Sequence, residues 1–302
     1  MLFRYVKAVT SNKATGVKPD GRKVISMSMY GKHPRYTWGV IRNAQLVTVY
    51  LPDWTLRVYV AADHELSVPP RIINKLLLLG AEVIKVSTGS SLTPRNWRLL
   101  VANDHQIDYF LIRDADTRLS EREAVVVKDW LSAAEENGPL SAVIHCIRDH
   151  PKHADQAVVD GLWGGRPRSL HLLMRQNIAE MIDRAASNMS SVDRTKNSMT
   201  FWNQVLWPAV SNLSYCHDSV SPCDRWIPLS SRRQFPVPRQ GRQYIGQKLD
   251  VHQQLLSTDG DQLRENVVCS WDSVNATVTD TDINLNYSRH SNVTLPRPSS
   301  GL

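Results

Sequence analysis

Residues 109–123 constrain the fold of this chain more than any other stretch. Tyr109-Phe110-Leu111-Ile112 is an uninterrupted apolar run, Arg113-Asp114-Ala115-Asp116 follows it, and Ser120 stands three residues before Glu123. A short apolar run bounded by polar residues reads as a strand buried on both faces. Ser-x-x-Glu reads as a capping box, in which the serine hydroxyl accepts the backbone N–H three residues on and the glutamate reaches back. A buried strand handed directly to a capped helix is half of a βαβ unit. A mostly parallel sheet flanked by helices, an α/β fold, is therefore expected.

The rest of the chain repeats that alternation. Strands are expected at Val24–Tyr30 (ending at Gly31), Leu56–Ala61, Val83–Val86 and Ala142–Ile147, with a shorter strand-like run at Leu213–Cys216. Helical spacing runs from Tyr36 to Val49 and is stopped by Pro52. A second helix opens at Pro69-Pro70 and ends at Gly80; others are expected at Ser169–Ala186 and Phe201–Leu206. Residues 1–21 are basic, polar and aperiodic, and from 251 to 302 the chain turns rich in Asp, Ser, Thr and Asn. The reading is one α/β domain over 22–250 between a loose lead-in and a polar tail.

Composition narrows the function. With 42% apolar and 22% charged residues the chain is globular rather than disordered or fibrous. No apolar run approaches the ~18 residues of a membrane span. Arg4, Lys7 and Lys13 interrupt the start, so it lacks the apolar core of a secretory signal. Sequons at Asn188, Asn212, Asn275, Asn286 and Asn292 keep a secretory lumen open if a leader is missing, and the compartment is not fixed. Lys and Arg number 36 against 29 acidic residues, a net charge of +7 that favours anionic ligands. No dense basic block or aromatic-plus-basic signature is present, so nucleic acid is set aside and a nucleotide diphosphate fits the sign equally well. Cys146, Cys216, Cys223 and Cys269 contain no C-x-x-C pair; Cys216 and Cys223 are near enough in sequence to bridge if geometry allows.

Parallel sheets bind ligands beyond the carboxyl ends of their strands, which selects the chemistry-bearing residues. Asp114 and Asp116, two apart, would share a side on extended chain. Paired carboxylates repel unless a cation lies between them or each has its own partner. Hard oxygen ligands there suit Mg²⁺ or Mn²⁺ completed by substrate phosphates, and a neutral His217 would complete the metal site. The alternative is that Asp116 merely pairs with Arg113 or Arg118, or belongs to the turn before the helix. Tyr30, Gly31 and Arg35, at the tip of the first strand, are placed to hold a nucleotide base and ribose. Arg57 is either a phosphate clamp or half of a buried ion pair. Arg113 is a candidate partner for a phosphate or carboxylate. Asp149 and His150, in Arg148-Asp149-His150-Pro151-Lys152-His153, are candidate sugar or acceptor contacts. In Gly161-Leu162-Trp163-Gly164-Gly165, Trp163 and Gly164 offer a stacking surface and close backbone approach, or else a turn with a core tryptophan.

These residues together resemble metal-dependent glycosyltransferases of the GT-A fold. More narrowly they resemble a poorly characterised glycosyltransferase-like family. The resemblance runs through Ser26-Met27-Ser28-Met29-Tyr30-Gly31, Arg42-Asn43-Ala44, Pro52-Asp53-Trp54, Arg57-Val58-Tyr59, Arg113 to Glu123, Trp130, Arg148 to His153, Trp163-Gly164 and His217-Asp218-Ser219, spanning Val24 to Asp250. It implies a GT-A-like sheet, a sugar donor linked to a nucleotide, uridine diphosphate by preference, and Mn²⁺ or Mg²⁺ on Asp114, Asp116 and His217. The acceptor would be a glycan, a protein or a small molecule. Two positions depart from the family pattern. Gly161-Leu162 replaces Gly-Gly before the tryptophan, and Ser198-Met199 stands where an Asp-Gln pair would lie near the reacting sugar carbon. Asn203 and Gln204 are the nearby residues able to take that catalytic role. Two rivals follow: a binding-only homologue without transfer, and a haloacid-dehalogenase-type phosphatase. The second is disfavoured because Arg118 stands where that family has Thr or Val.

Overall fold

The computed structural model describes residues 21–62, 66–87, 92–153, 156–178, 180–181, 202–219, 227–241, 243–252 and 254. Eight strands form one sheet in the order β3-β2-β1-β4-β6-β5-β7-β8. They are β1 (Lys23–Met29), β2 (Trp54–Ala61), β3 (Glu82–Val86), β4 (Tyr109–Arg113), β5 (Ile144–Arg148), β6 (Leu162–Gly165), β7 (Ser214–Asp218) and β8 (Arg232–Arg233). All pairings are parallel except those of β6, which runs antiparallel to both β4 and β5. The mixed, mostly parallel α/β sheet expected from the alternation is what the chain forms.

The helices are α1 (Pro34–Tyr50), α2 (Pro70–Leu78), α3 (Glu121–Glu136), α4 (Pro167–Met174) and a single turn α5 (Trp207–Val210). Side chains alternate across each strand, and the two faces bury different sets. Ile25, Met27, Val58 and Leu111 face a layer containing Val40, Ala44, Ile72 and Trp130 from α1, α2 and α3. Val24, Tyr59, Phe110 and Ile112 face Trp97, Leu99 and Val101 of a 3₁₀ segment, Pro94–Asn103. That segment is absent from the sequence reading. Its middle is fastened to β1, where Ser26 donates to the Arg98 carbonyl (2.7 Å) and Ser28 accepts from the Arg98 N–H (2.8 Å).

Four local expectations need correction. Gly161–Gly165 is not a turn; Leu162–Gly165 is the antiparallel strand β6. The helix from Ser169 stops at Met174, because Arg175 adopts a left-handed conformation (φ 49°), and residues 182–186 lie outside the described residues. Residues 202–206 form a π-helical turn that leads into α5. The capping box is half formed: the Ser120 hydroxyl accepts from the Glu123 N–H (3.3 Å), but the Glu123 carboxylate pairs with Arg113 instead of reaching back. A buried guanidinium outcompetes a solvated backbone N–H for that carboxylate. Cys146 and Cys216 are register partners on β5 and β7, buried and unbridged; Cys223 lies outside the described residues. No described helix is long and apolar enough to cross a membrane.

Candidate functional site

The strand order fixes where a ligand belongs. The chain builds outward from β1 to β2 and β3, then crosses to the other side of β1 to lay down β4. The carboxyl ends of β1 and β4 thus flank the sheet's topological switch point, where ligands bind in open α/β sheets. Tyr30, Gly31 and Arg35 follow β1 there, and Asp114 and Asp116 follow β4.

The two carboxylates do not share a side. The chain turns straight after β4, with the Thr117 hydroxyl donating to the Asp114 carbonyl (2.9 Å), so the alternation of an extended strand no longer applies. Asp114 accepts from Arg98, and its other oxygen lies 3.9 Å from the Lys248 ammonium. Asp116 accepts from Arg35, at the start of α1, and is buried. Arg98 also reaches Asp160 (2.7 Å), which Arg95 meets from the other side (2.8 Å). Burial alone would raise the Asp114 carboxyl, but Arg98 and Lys248 together hold it below its ordinary value. The Arg98 guanidinium is disfavoured by burial and more than compensated by Asp160 and Asp114.

Glycine is required at two points around this turn. At Gly161 (φ 91°) an added Cβ would fall 2.8 Å from the Asp114 carboxylate. At Gly39, in α1, it would fall 2.1 Å from the Ala115 carbonyl oxygen. α1 therefore touches the Asp114–Asp116 turn backbone to backbone.

His217 stands apart from the carboxylates. β7 is three strands from β4, about 14 Å at about 4.8 Å per spacing. Its ring faces α3, with Nε2 3.2 Å from Asp129 and Nδ1 2.9 Å from His145 Nε2. The expected trio of Asp114, Asp116 and His217 does not assemble, and no group of three metal-ligating side chains exists among the described residues.

Other sequence candidates also serve the fold. Arg57 lies in the middle of β2, paired with Glu82 (2.7 Å) and Asp104 (2.8 Å), so the ion-pair alternative holds. Arg113 is buried, pairs with Glu123 and donates to the Trp163 carbonyl (2.9 Å). Trp163 is a fully buried core residue against Phe110 and Trp202, not a stacking platform. A side chain at Gly164 would fall 2.5 Å from the Phe110 carbonyl oxygen, so that glycine serves strand pairing. Asp149 has no exposure, and both of its oxygens are occupied. Arg122 meets them at 3.0 Å each, while Arg239 (2.9 Å), the Ser219 hydroxyl (2.9 Å) and the Ile245 N–H (3.0 Å) add to these. It anchors Arg122, Ser219, Arg239 and Ile245 rather than facing a ligand. His150 is buried 4.3 Å from the Tyr244 ring. The side chains of Asn203 and Gln204, and Ser198 and Met199, lie outside the described residues.

Sequence reading missed Arg95, Arg98, Asp160 and Lys248. One signal was available: Pro94-Arg95-Asn96-Trp97-Arg98 carries proline at a first helical position and two arginines three apart, which eclipse on a 3₁₀ turn. A cavity of about 80 Å³ lined by Asn103, His105, His171 and Asn177 lies at the opposite, amino end of the strands, away from this chemistry.

The His145–His217 pair predicts acid sensitivity. His145 is held well below its ordinary 6.5 by burial, then by His217 and Arg113; His217 is lowered by burial against the pull of Asp129. Both are neutral in the folded chain and protonate freely when unfolded. The unfolded state therefore binds more protons below about pH 6.5, and stability falls from there as pH drops. The melting temperature should decrease measurably between pH 7.5 and 5; a flat profile would contradict a buried neutral pair.

The class that fold and site define is an α/β protein with a cluster of charged side chains at the switch point of a mixed sheet. No protein-family model matches the chain, and no curated protein does. Solved structures share parts of it. Glucosyl-3-phosphoglycerate synthase of M. tuberculosis aligns at 15% identity and TM-score 0.30, over 49% of this chain and 57% of that one. The glycosyltransferase GlyE of Streptococcus pneumoniae aligns at 14% and 0.37, over 61% and 44%. A mannosyltransferase of Pyrobaculum calidifontis, in complex with GDP-Man and Mn²⁺, aligns at 15% and 0.36, over 58% and 65%. The chain thus matches little more than half the length of the first of these.

Proposed function

We propose that the chain is a GT-A-like glycosyltransferase that takes its sugar from a nucleoside-diphosphate donor. The observation that carries this reading is the set of charged side chains at the β1–β4 switch point, where such sheets hold nucleotides. In the proposed complex, Tyr30 (40% exposed) and the Gly31 turn border the nucleoside, and the diphosphate lies toward Arg35, Arg95, Arg98 and Lys248. Positive charge fixed in advance beside the leaving diphosphate stabilises the charge that develops there as the sugar departs.

A divalent cation on Asp114 and Asp116 does not fit the residues as folded. Each carboxylate is already matched by a guanidinium, and the third expected ligand, His217, faces α3. No step of the proposed reaction is routed through a metal.

The test is a thermal-shift screen of uridine- and guanosine-diphospho-sugars, followed by assay for released nucleoside diphosphate. A donor present at a hundred times its Kd should stabilise the fold by about 2.7 kcal/mol, several degrees of melting temperature. No shift with any nucleotide sugar would sink the reading. A shift without release of nucleoside diphosphate would favour the binding-only homologue.

A further inference from the structure

We infer that the charged cluster at the β1–β4 switch point holds the diphosphate with its own guanidinium and ammonium groups, and that binding survives complete removal of divalent cations. The inference rests on the donor reading above and deepens it. Four cationic side chains, Arg35, Arg95, Arg98 and Lys248, meet three carboxylates, Asp114, Asp116 and Asp160, at the carboxyl end of β4. The cations outnumber the anions before any ion is added. A cation between Asp114 and Asp116 would have to displace the guanidiniums already paired with them, whereas an anionic diphosphate meets that surplus of positive charge directly.

The donors are also placed to serve a ligand. Arg95 is 51% exposed at its side chain and Lys248 47%, so both reach solvent at the mouth while Arg98 (3%) forms the floor. The Nε of Arg98 and the Nε of Arg35 are buried without a hydrogen-bond partner, leaving donor capacity on the two guanidiniums that line the carboxylates. Arginine presents a fork of donors matched to phosphate oxygens, and Lys248 adds a point charge. Asp114, Asp116 and Asp160 are then positioning residues. They hold the long arginine side chains in one geometry, so that less conformational freedom is lost when the anion arrives.

Charge arithmetic separates this arrangement from a metal site. Removing the Asp114 charge destroys a metal site, but makes a guanidinium site more positive. Asn at position 114 keeps an acceptor for Arg98 and nearly the same shape.

The experiment is titration calorimetry of the full chain with inorganic pyrophosphate, uridine diphosphate and guanosine diphosphate, each in EDTA and in Mn²⁺, with melting temperatures confirming that every variant is folded. Pyrophosphate and one nucleoside diphosphate should bind in EDTA. Arg95→Ala and Lys248→Ala, at half-exposed positions, should each weaken binding about tenfold, the loss expected for one charge-assisted contact. Asp114→Asn should bind as well as the parent or better. Binding only with Mn²⁺, lost in Asp114→Asn, would overturn the inference while leaving the donor reading intact. Binding in EDTA that neither Arg95→Ala nor Lys248→Ala alters would overturn the residue assignment. No binding of either nucleoside diphosphate in either condition would overturn both readings.

Discussion

Replacing Asp149 with alanine should destabilise the protein by about 3–5 kcal/mol, the loss that follows when one member of a buried ion pair is removed and its partner is left behind. Asp149 has no exposure and gathers Arg122, Arg239, the Ser219 hydroxyl and the Ile245 N–H. Burial works against the ionised carboxylate, yet Arg122, the Ile245 N–H and Arg239 hold it below its ordinary value. Alanine removes the carboxylate on which two guanidiniums converge and leaves them only neutral acceptors, the Val237 carbonyl for Arg122 and the residue 149 carbonyl and Ser219 hydroxyl for Arg239, while Arg122 stays over the Phe235 ring at 4.0 Å. Asparagine keeps the shape and one acceptor, so Asp149→Asn should lose less than Asp149→Ala. Urea unfolding measures both; a loss under 1 kcal/mol for alanine would show that this hub holds nothing together.

Gly39→Ala should cost about 1–3 kcal/mol of stability through overpacking and, on the proposed transferase function, about a hundredfold in turnover through misplacement of the turn. The single added methyl would sit 2.1 Å from the Ala115 carbonyl oxygen, between the two carboxylates of the site. That neighbour is backbone, so relief requires α1 or the turn after β4 to shift. Either movement separates Asp116 from Arg35 and displaces Asp114 from Arg98. Kinetics on the folded variant decides the matter. Parental turnover with parental stability would mean the helix and turn slide apart without consequence.

Elements whose cause is local were legible in the sequence. β1, β2, β4 and α2 declared themselves through compact apolar runs and flanking Pro and Gly, and Ser120 caps α3 as its spacing implied. β6 was not legible, because four residues containing two glycines carry no strand signal of their own. They become a strand only by lying between β4 and β5. That Asp114 and Asp116 would follow the buried strand β4 was legible, and the carboxyl ends of the strands are where ligands bind in such sheets. The partners were not. Arg98 comes to Asp114 from the unread 94–103 segment, Lys248 from the end of the domain, and His217 is turned to the other face by Asp129 and His145. Ion pairs between residues far apart in sequence leave no periodic trace, so identical residues read equally well as a metal centre and as a salt-bridge network.

The reversed strand also governs how the polypeptide comes together during synthesis. β4 has β1 on one flank only, and its other flank is closed by Leu162–Gly165, made some fifty residues later. Until then a nascent chain carries an open and largely apolar strand edge, the kind of surface that recruits foreign strands. A ribosomal stall or a cleavage before residue 162 would therefore release an aggregation-prone half, whereas a fragment that includes Gly165 would have that border sealed.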